Sequence, residues 1–172
     1  MSQESSQIIS GKILHLDGDK KYSEKAYNYY RKTGLNAIVK NIPESKQPQM
    51  VYYLLEVYKP DILVVTGHDE MFKKGTKYYD IYNYKNSKYF VQTVRNARKW
   101  EKSEEKLIII AGACESFYEA IMLEGANFAS SPARILIDFL VIAVMLLCIF
   151  IGYKRGLIKV AVKIVAIVLS IV

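Results

Sequence analysis

The sequence predicts an α/β protein of three layers, in which helices cover both faces of a mainly parallel sheet (caspase-like or Rossmann-like). Two short apolar runs, at residues 62–65 and 107–110, are each preceded by a charged residue and followed closely by a glycine. Runs this short and this apolar are typical of parallel strands that are covered on both faces. Segments with helical spacing of apolar residues alternate with the strands, and this alternation requires right-handed crossover connections.

The first half of the predicted domain contains two strands separated by a helix. Residues 13–16 predict the first strand, which ends at the polar turn 17–19. The following helix is expected to use Ser23 as its N-cap and to end at Gly34, a residue suited to the left-handed conformation. Residues 35–42 then predict the second strand.

The second half repeats the pattern around the two most apolar strands. Pro48 fits the first turn of the second helix, because that turn needs no backbone donor. Residues 71–84, rich in tyrosine and lysine, have weak periodicity and predict an excursion over the sheet edge. Asn86 or Ser87 opens the third helix, and a fourth helix follows the strand at residues 107–110.

The ends of the chain differ in composition from its middle. We expect a loose polar leader at residues 1–10 and an incomplete peptidase domain at 11–134. Residues 135–172 are strongly apolar, with a basic break at 153–156. The first apolar stretch, 135–152, has the minimum length for a bilayer span, which predicts a membrane hairpin. The alternative is a very apolar core helix.

Composition narrows the classes of function. The net charge of the 172-residue chain is +7, but its lysines are spread, so nucleic-acid binding gains little support. Cys114 and Cys148 lie in segments of different character and suggest no disulfide, which fits a reducing, cytoplasmic compartment. Two histidines and two scattered cysteines do not form a metal site, and we expect no cofactor.

A histidine and a cysteine follow the two most apolar strands. His68 comes after Thr-Gly and Cys114 after Ala-Gly-Ala, and parallel strands end at the same sheet edge. Because the following segment predicts a helix, its dipole is expected to favour the thiolate of Cys114. The pair suits a nucleophile and its base, with backbone N–H groups around Gly67, Asp69 and Gly112 as oxyanion donors. Taken singly, the cysteine is more often a core residue and the histidine more often surface.

Other polar residues at this edge have competing interpretations. Asp17 and Asp19 either form a turn stabilised by an Asx hydrogen bond or line a negative pocket for an arginine or lysine side chain. Asp69 is a candidate for orienting His68. His15 lies within an apolar strand and is expected to be a satisfied core residue. The many tyrosines are expected to pack at the core and rim.

Several stretches carry a family resemblance. Residues 11–134 resemble the YabG family in GKILHLDGDKKY, DILVVTGHDE, NYKNSKYFVQTVRNARKWE, LIIIAGACESFYEA and GANFASSPAR. These are sporulation-specific cysteine peptidases that process spore-coat proteins, which implies catalysis by His68 and Cys114, protein substrates, cleavage after basic residues, and a location in the mother cell or spore coat. The two strand ends also resemble, more distantly, the caspase, clostripain and legumain clan. Residues 135–172 resemble the start of a colicin V production-type membrane protein.

Four alternatives stay open at this point. The chain is an inactive truncated or fused fragment, or a membrane protein fragment that carries a passenger domain. A non-enzymatic flavodoxin-like or receiver-like domain with a membrane tail would instead use Asp17 and Asp19 to hold a metal or phosphate. A class I amidotransferase-like hydrolase fits poorly, since it needs a Gly-x-Cys-x-Gly elbow with the histidine later in the chain, and here Ser116 replaces the second glycine.

Overall fold

A computed structural model describes residues 11–73, 78–131, 140–147 and 150, and its centre is one parallel sheet. The five strands are β1 (Ile13–Asp17), β2 (Ala37–Asn41), β3 (Ile62–Thr66), β4 (Ile108–Gly112) and β5 (Phe128–Ser130). Their order is β2-β1-β3-β4-β5, and every neighbouring pair is parallel. The four predicted strands and the α/β class are confirmed. The short fifth strand at the edge adds to the prediction.

Four helices connect the strands. They are α1 (Lys20–Thr33), α2 (Gln47–Tyr58), α3 (Ser87–Trp100) and α4 (Tyr118–Leu123), with short 3-10 turns at Glu44–Lys46 and Ile81–Asn83. The connection from β1 to β2 leads to one edge of the sheet, and each later connection leads toward the opposite edge. Right-handed crossovers therefore place α1 on one face and the other three helices on the opposite face. The three predicted layers are present.

The two faces of the sheet are buried to different extents. On the face under α2, α3 and α4, the strand side chains Leu14, Leu16, Leu63, Val65 and Ile109 have no exposed surface. On the α1 face, the alternate residues of β3 and the residues Ile108 and Ile110 of β4 are only half-buried. The main hydrophobic core therefore lies between the sheet and the three helices, and α1 leaves room beside it at the ends of β3 and β4.

Helix α1 begins earlier than the sequence indicated. Asp19 is its N-cap, because Asp19 Oδ1 accepts the Tyr22 N–H at 3.0 Å. Ser23 lies one turn into the helix, buried, and its hydroxyl donates to the Asp19 carbonyl at 2.7 Å. The predicted end is confirmed, with Gly34 in the left-handed conformation at φ 71°. The predicted place of Pro48 in the first turn of α2 and the predicted start of α3 at Asn86 or Ser87 are also confirmed.

The excursion after β3 is attached to the loop that follows β4. Met71 and Tyr84 form an isolated antiparallel bridge that closes the base of the excursion. The Tyr84 ring is buried and stacks on Phe117, with the ring centroids 5.3 Å apart. Stacked aromatic rings of this kind hold two loops together through their large buried area. The excursion therefore supports the segment that carries Cys114.

The ends of the chain are described only in part. The predicted leader at residues 1–10 and most of the predicted hairpin at 135–172 lie outside the described residues, and residues 140–147 and 150 are helical. In the part of the chain that the structure covers, no helix is both long enough and apolar enough to cross a membrane. The hairpin therefore stays a prediction.

The difference between the two sheet faces can be measured in one strand. Val65→Ala removes two methyl groups from a site with no exposed surface, so we expect the free energy of unfolding to fall by about 2–3 kcal/mol. Val64→Ala is the matched control on the half-buried face and should cost about 1 kcal/mol. Urea denaturation of the full chain gives both values. Equal losses would contradict the asymmetry of the sheet.

Candidate active site

Two pairings between strands bring the polar strand ends together. In β1 and β3, Asp17 lies opposite Thr66, and in β3 and β4, Val65 lies opposite Ala111. Because parallel strands in register end at one edge, the loops that follow them start side by side. His68 and Cys114 line one cavity of about 570 Å³ at this edge. Its other wall is formed by tyrosines 22, 29 and 30 of α1.

Cys114 is exposed. Two residues before it lies Gly112, which cannot be replaced without strain. Gly112 has φ 127°, and a Cβ there would overlap the Ser130 carbonyl oxygen of β5. Only glycine permits both the positive φ and the close approach of the neighbouring backbone. Helix α4 begins at Tyr118, four residues after the cysteine, so Cys114 is not placed at a helix N-terminus as the sequence suggested.

His68 is held by three hydrogen bonds and one aromatic contact. Its Nε2 lies 2.8 Å from Asp19 Oδ2, although 59% of the histidine side chain is exposed. The backbone N–H of His68 donates to Glu44 Oε1 at 2.7 Å, and its carbonyl accepts from Asn86 Nδ2 at 2.7 Å. The Tyr22 ring also makes a T-shaped contact with the imidazole, with the ring centroids 5.7 Å apart. The backbone contacts fix the loop, and Asp19 fixes the ring.

The Asp19 contact determines which ring nitrogen carries the hydrogen. Hydrogen bonds from the His68 ring and from the Tyr22 N–H lower the pKa of Asp19 below its ordinary value. An ionised carboxylate can only accept, so the hydrogen of a neutral His68 lies on Nε2. The Nδ1 atom is then the ring's acceptor and can take a proton.

Asp69 does not contact the imidazole, so the expectation that it orients His68 is wrong. Its side chain is buried and accepts hydrogen bonds from the Ser87 hydroxyl, from the Asn86 N–H at 2.8 Å and from the Glu70 N–H at 3.0 Å. Burial raises the pKa of Asp69, and these hydrogen bonds oppose the increase. Asp69 therefore fastens the histidine loop to the start of α3.

The same cluster reaches the cysteine loop. The Ser116 side chain is a further hydrogen-bond partner of Asp69, and its Oγ accepts the Ala113 N–H at 2.7 Å. Ser87 Oγ accepts the Phe117 N–H, also at 2.7 Å. Asp69, Ser87 and Ser116 thus form a buried polar cluster that joins the loops carrying His68 and Cys114.

Some backbone groups near the predicted oxyanion position already have partners. The His68 N–H donates to Glu44 and the Ala113 N–H donates to Ser116, so neither is free for a substrate in this conformation. The predicted donors around Gly67, Asp69 and Gly112 lie on the same two loops. Their role toward an oxyanion stays a prediction.

The residues of β1 form a second polar network beneath the cavity. Asp17 is buried, and its carboxylate accepts the Asp19 N–H and the Thr66 hydroxyl, each at 2.7 Å. His15 is a satisfied core residue as predicted, with Thr66 Oγ1 at 2.7 Å and the Tyr30 hydroxyl at 3.1 Å. Burial lowers the pKa of His15. The substrate-binding role of Asp17 and Asp19 stays a prediction, because both carboxylates serve internal partners here.

Sequence reasoning missed four residues that hold the site, namely Glu44, Asn86 as a side-chain donor, Ser87 and Ser116. The turn Ala-Cys-Glu-Ser contained a signal for Ser116, since serine hydroxyls commonly accept backbone N–H groups within tight turns. Glu44 lies 24 residues before His68 and carried no signal. Within the described ranges, no cluster of three or more His, Cys, Asp or Glu residues could hold a metal ion.

Replacing Asp69 should weaken the junction between the two loops. Asp69→Ala leaves several buried donors without an acceptor and should cost on the order of 3 kcal/mol of unfolding free energy. Asp69→Asn keeps one acceptor oxygen and should cost less. Because the folded pKa of Asp69 is raised, the advantage of wild type over Asp69→Asn should be greatest below about pH 4 and decline as the pH rises.

Urea denaturation of the full chain between pH 4 and pH 7 measures both effects. Asp80→Asn is the control, because Asp80 caps the turn Ile81–Asn83 through a solvent-exposed hydrogen bond from the Tyr82 N–H. A cost for Asp69→Ala no larger than that of the control would contradict the structural role of the cluster.

Two of the similar solved structures are distant relatives in sequence. A two-component response regulator of the LuxR family from Aurantimonas sp. SI85-9A1 is 16% identical, with a TM-score of 0.43 over 77% of this chain and 84% of that chain. The receiver domain of the putative response regulator NarL from Mycobacterium tuberculosis is 13% identical, with a TM-score of 0.44 over 78% of this chain and 96% of that chain. Neither match carries an argument about function.

Sequence comparison gives a much stronger match. The family described as YabG peptidase U57 matches residues 1–165, which extends beyond residue 134, where the resemblance noted in the sequence stopped. The sporulation-specific protease YabG of Bacillus subtilis (strain 168) is 45% identical over 127 residues, or 74% of this chain. The aligned region is 44% of that relative, so the chain spans less than half of its length. With a family match over almost its whole length, the chain belongs to the YabG peptidase U57 family.

Proposed function

We propose that the chain is a cysteine endopeptidase that cleaves sporulation proteins, including spore-coat proteins, with Cys114 as nucleophile and His68 as base. The observation that carries this proposal is that His68, after β3, and Cys114, after β4, line the same cavity. Membership of a peptidase family supports the reaction class. The exposure of Cys114 supports its role as nucleophile, because a structural cysteine is usually buried.

The proposed reaction follows the general course of thiol acyl transfer. Cys114 Sγ attacks the carbonyl carbon of the scissile peptide bond, and its proton passes to Nδ1 of His68. Backbone N–H groups on the loops after β3 and β4 stabilise the resulting oxyanion. Collapse breaks the C–N bond, and the leaving amine takes the proton from His68. A water molecule, deprotonated by His68, then hydrolyses the thioester and restores the thiol.

We also propose a preference for a basic residue before the cleaved bond. Tyrosines 22, 29 and 30 line the cavity, and tyrosine faces attract cations. The Lys25 ammonium, which also lines the cavity, occupies the Tyr22 ring at 5.2 Å from its centroid, so Tyr29 and Tyr30 are the rings left for a substrate cation. The Asp17 carboxylate, which also lines the cavity, adds negative charge at the end of β1. An arginine side chain suits such a wall, because its planar guanidinium can stack on a ring.

The location follows from the proposed substrates. Sporulation proteins of this kind place the enzyme in the mother-cell cytoplasm or at the spore coat, and a membrane contact through residues 135–172 is part of the same proposal. Fractionation of sporulating cells into soluble, membrane and coat fractions tests it. Recovery of part of the chain in the membrane fraction would support the contact through residues 135–172, and absence of the chain from both the mother cell and the coat would contradict the proposed location.

Covalent labelling tests the catalytic pair. We expect a peptidyl electrophile with arginine before the warhead to modify wild type at Cys114, as located by peptide mass spectrometry. Cys114→Ala should abolish labelling, and His68→Ala should slow it by on the order of 100-fold, since proton transfer contributes about that much. The full chain is used throughout.

Cys148→Ala is the matched control, because it removes the other thiol and should leave labelling unchanged. Labelling that depends on Cys148, or no labelling of a folded wild type, would contradict the proposed pair. Comparison of the unfolding midpoints of all variants identifies any that fail to fold.

The basic preference is tested by a neutral isostere of arginine. An electrophile that carries citrulline keeps the shape of arginine but not its charge, and we expect it to react on the order of tenfold more slowly. The ratio of the arginine rate to the citrulline rate should fall in Asp17→Asn, because the Asp17 carboxylate lines the cavity and attracts the substrate cation. Equal rates for arginine and citrulline in wild type would rule out charge recognition.

A further inference from the structure

The contact between Asp19 and His68 connects the start of α1 to the proposed base. Asp19 uses its two carboxylate oxygens for different purposes. Oδ1 accepts the Tyr22 N–H at 3.0 Å and caps the helix, while Oδ2 lies 2.8 Å from His68 Nε2. The carboxylate is 29% exposed, so water competes only in part for these bonds.

The capping bond fixes the direction of the histidine contact. A side chain that already accepts the Tyr22 N–H has little rotational freedom, so its second oxygen points in a constant direction. The Asp17 carboxylate adds to this order by accepting the Asp19 N–H at 2.7 Å. The imidazole therefore meets an acceptor that is preorganised by β1 and α1, not a mobile surface carboxylate.

We infer that Asp19 is the positioning residue of the proposed catalytic pair and holds His68 with its hydrogen on Nε2, so that Nδ1 is the atom that exchanges protons with Cys114. The inference rests on the proposed function, since it assigns a partner to the same base. It gives Asp19 a role other than attracting a basic substrate side chain. No contact between Asp19 and the substrate is required.

The negative charge has a second consequence for the reaction. When His68 accepts the thiol proton it becomes an imidazolium, and a carboxylate at hydrogen-bond distance stabilises that cation. Among the groups in contact with the ring, Tyr22 makes a T-shaped contact and carries no charge. Asp19 is thus the anionic group that the described contacts place on the ring. Its removal should lower the rate of the chemical step and leave substrate binding unchanged.

Three substitutions separate the capping role from the positioning role. Serine and asparagine are both good N-caps, whereas alanine is not. Asp19→Ser keeps a cap but is too short to reach His68. Asp19→Asn keeps the cap through its single oxygen and turns its NH₂ donor toward Nε2, which favours the wrong tautomer of the imidazole. Asp19→Ala loses both functions.

Labelling kinetics of the full chain with the arginine electrophile provide the first measurement. For both Asp19→Asn and Asp19→Ser we expect the maximal rate of inactivation to fall by at least about tenfold, with the half-saturating concentration unchanged. Asp19→Asn should be the slower of the two. The ratio of arginine to citrulline rates should stay at the wild-type value.

The tautomer of His68 provides a second measurement that does not depend on activity. The chain has two histidines, so two-bond ¹H–¹⁵N spectra contain two rings, and His68→Ala assigns them. We expect the Nε2–H form of His68 in wild type and a shift toward the Nδ1–H form in Asp19→Asn. Asp80→Asn, which replaces another capping aspartate, should change neither the spectrum nor the rate.

The outcomes distinguish this inference from the proposed function. If wild type is labelled and His68→Ala is slow, but Asp19→Asn and Asp19→Ser react like wild type, the positioning role is overturned and the catalytic pair stands. A loss seen only in Asp19→Ala, together with a lower unfolding midpoint, would assign Asp19 to capping alone. A changed arginine-to-citrulline ratio would assign it to the substrate pocket. No labelling of wild type would overturn the proposed function itself.

Discussion

The register between β1 and β3 is the constraint from which the site follows. Asp17 lies opposite Thr66, and the Thr66 hydroxyl donates to the buried Asp17 carboxylate at 2.7 Å. Asp19 and His68 each come two residues after this pair, and His68 Nε2 lies 2.8 Å from Asp19 Oδ2. A slip of one residue would turn every side chain of the strand to the other face and would separate all four groups.

The pairing of β3 with β4 adds the cysteine to this arrangement. Val65 lies opposite Ala111. His68 comes three residues after Val65, and Cys114 comes three residues after Ala111. Loops of equal length from paired strands lie side by side only if something prevents them from spreading apart. The buried cluster of Asp69, Ser87 and Ser116 supplies that restraint, because its hydrogen bonds connect both loops to the start of α3.

The two aspartates near His68 illustrate how local sequence can mislead. Asp69 follows the histidine directly, yet its carboxylate is buried beside Ser87, because neighbouring residues of an extended chain point in opposite directions. Asp19, 49 residues earlier, reaches the ring because α1 starts at that point of the sheet edge. Buried hydrogen bonds therefore position the exposed side chains of the site. The sequences around His68 and Cys114 do not predict these hydrogen bonds.

The sequence by itself determined the order of strands and helices, the parallel sheet, and the placement of His68 and Cys114 at one edge. Apolar runs and glycine positions encode these features locally, and parallel topology then leaves few arrangements. Only the tertiary structure decided the partner of each polar side chain, as with Glu44 on the His68 backbone and Asp19 as the cap of α1 in place of Ser23. Hydrogen bonds between residues distant in sequence depend on loop paths to within a fraction of an ångström, and no periodic pattern records those paths.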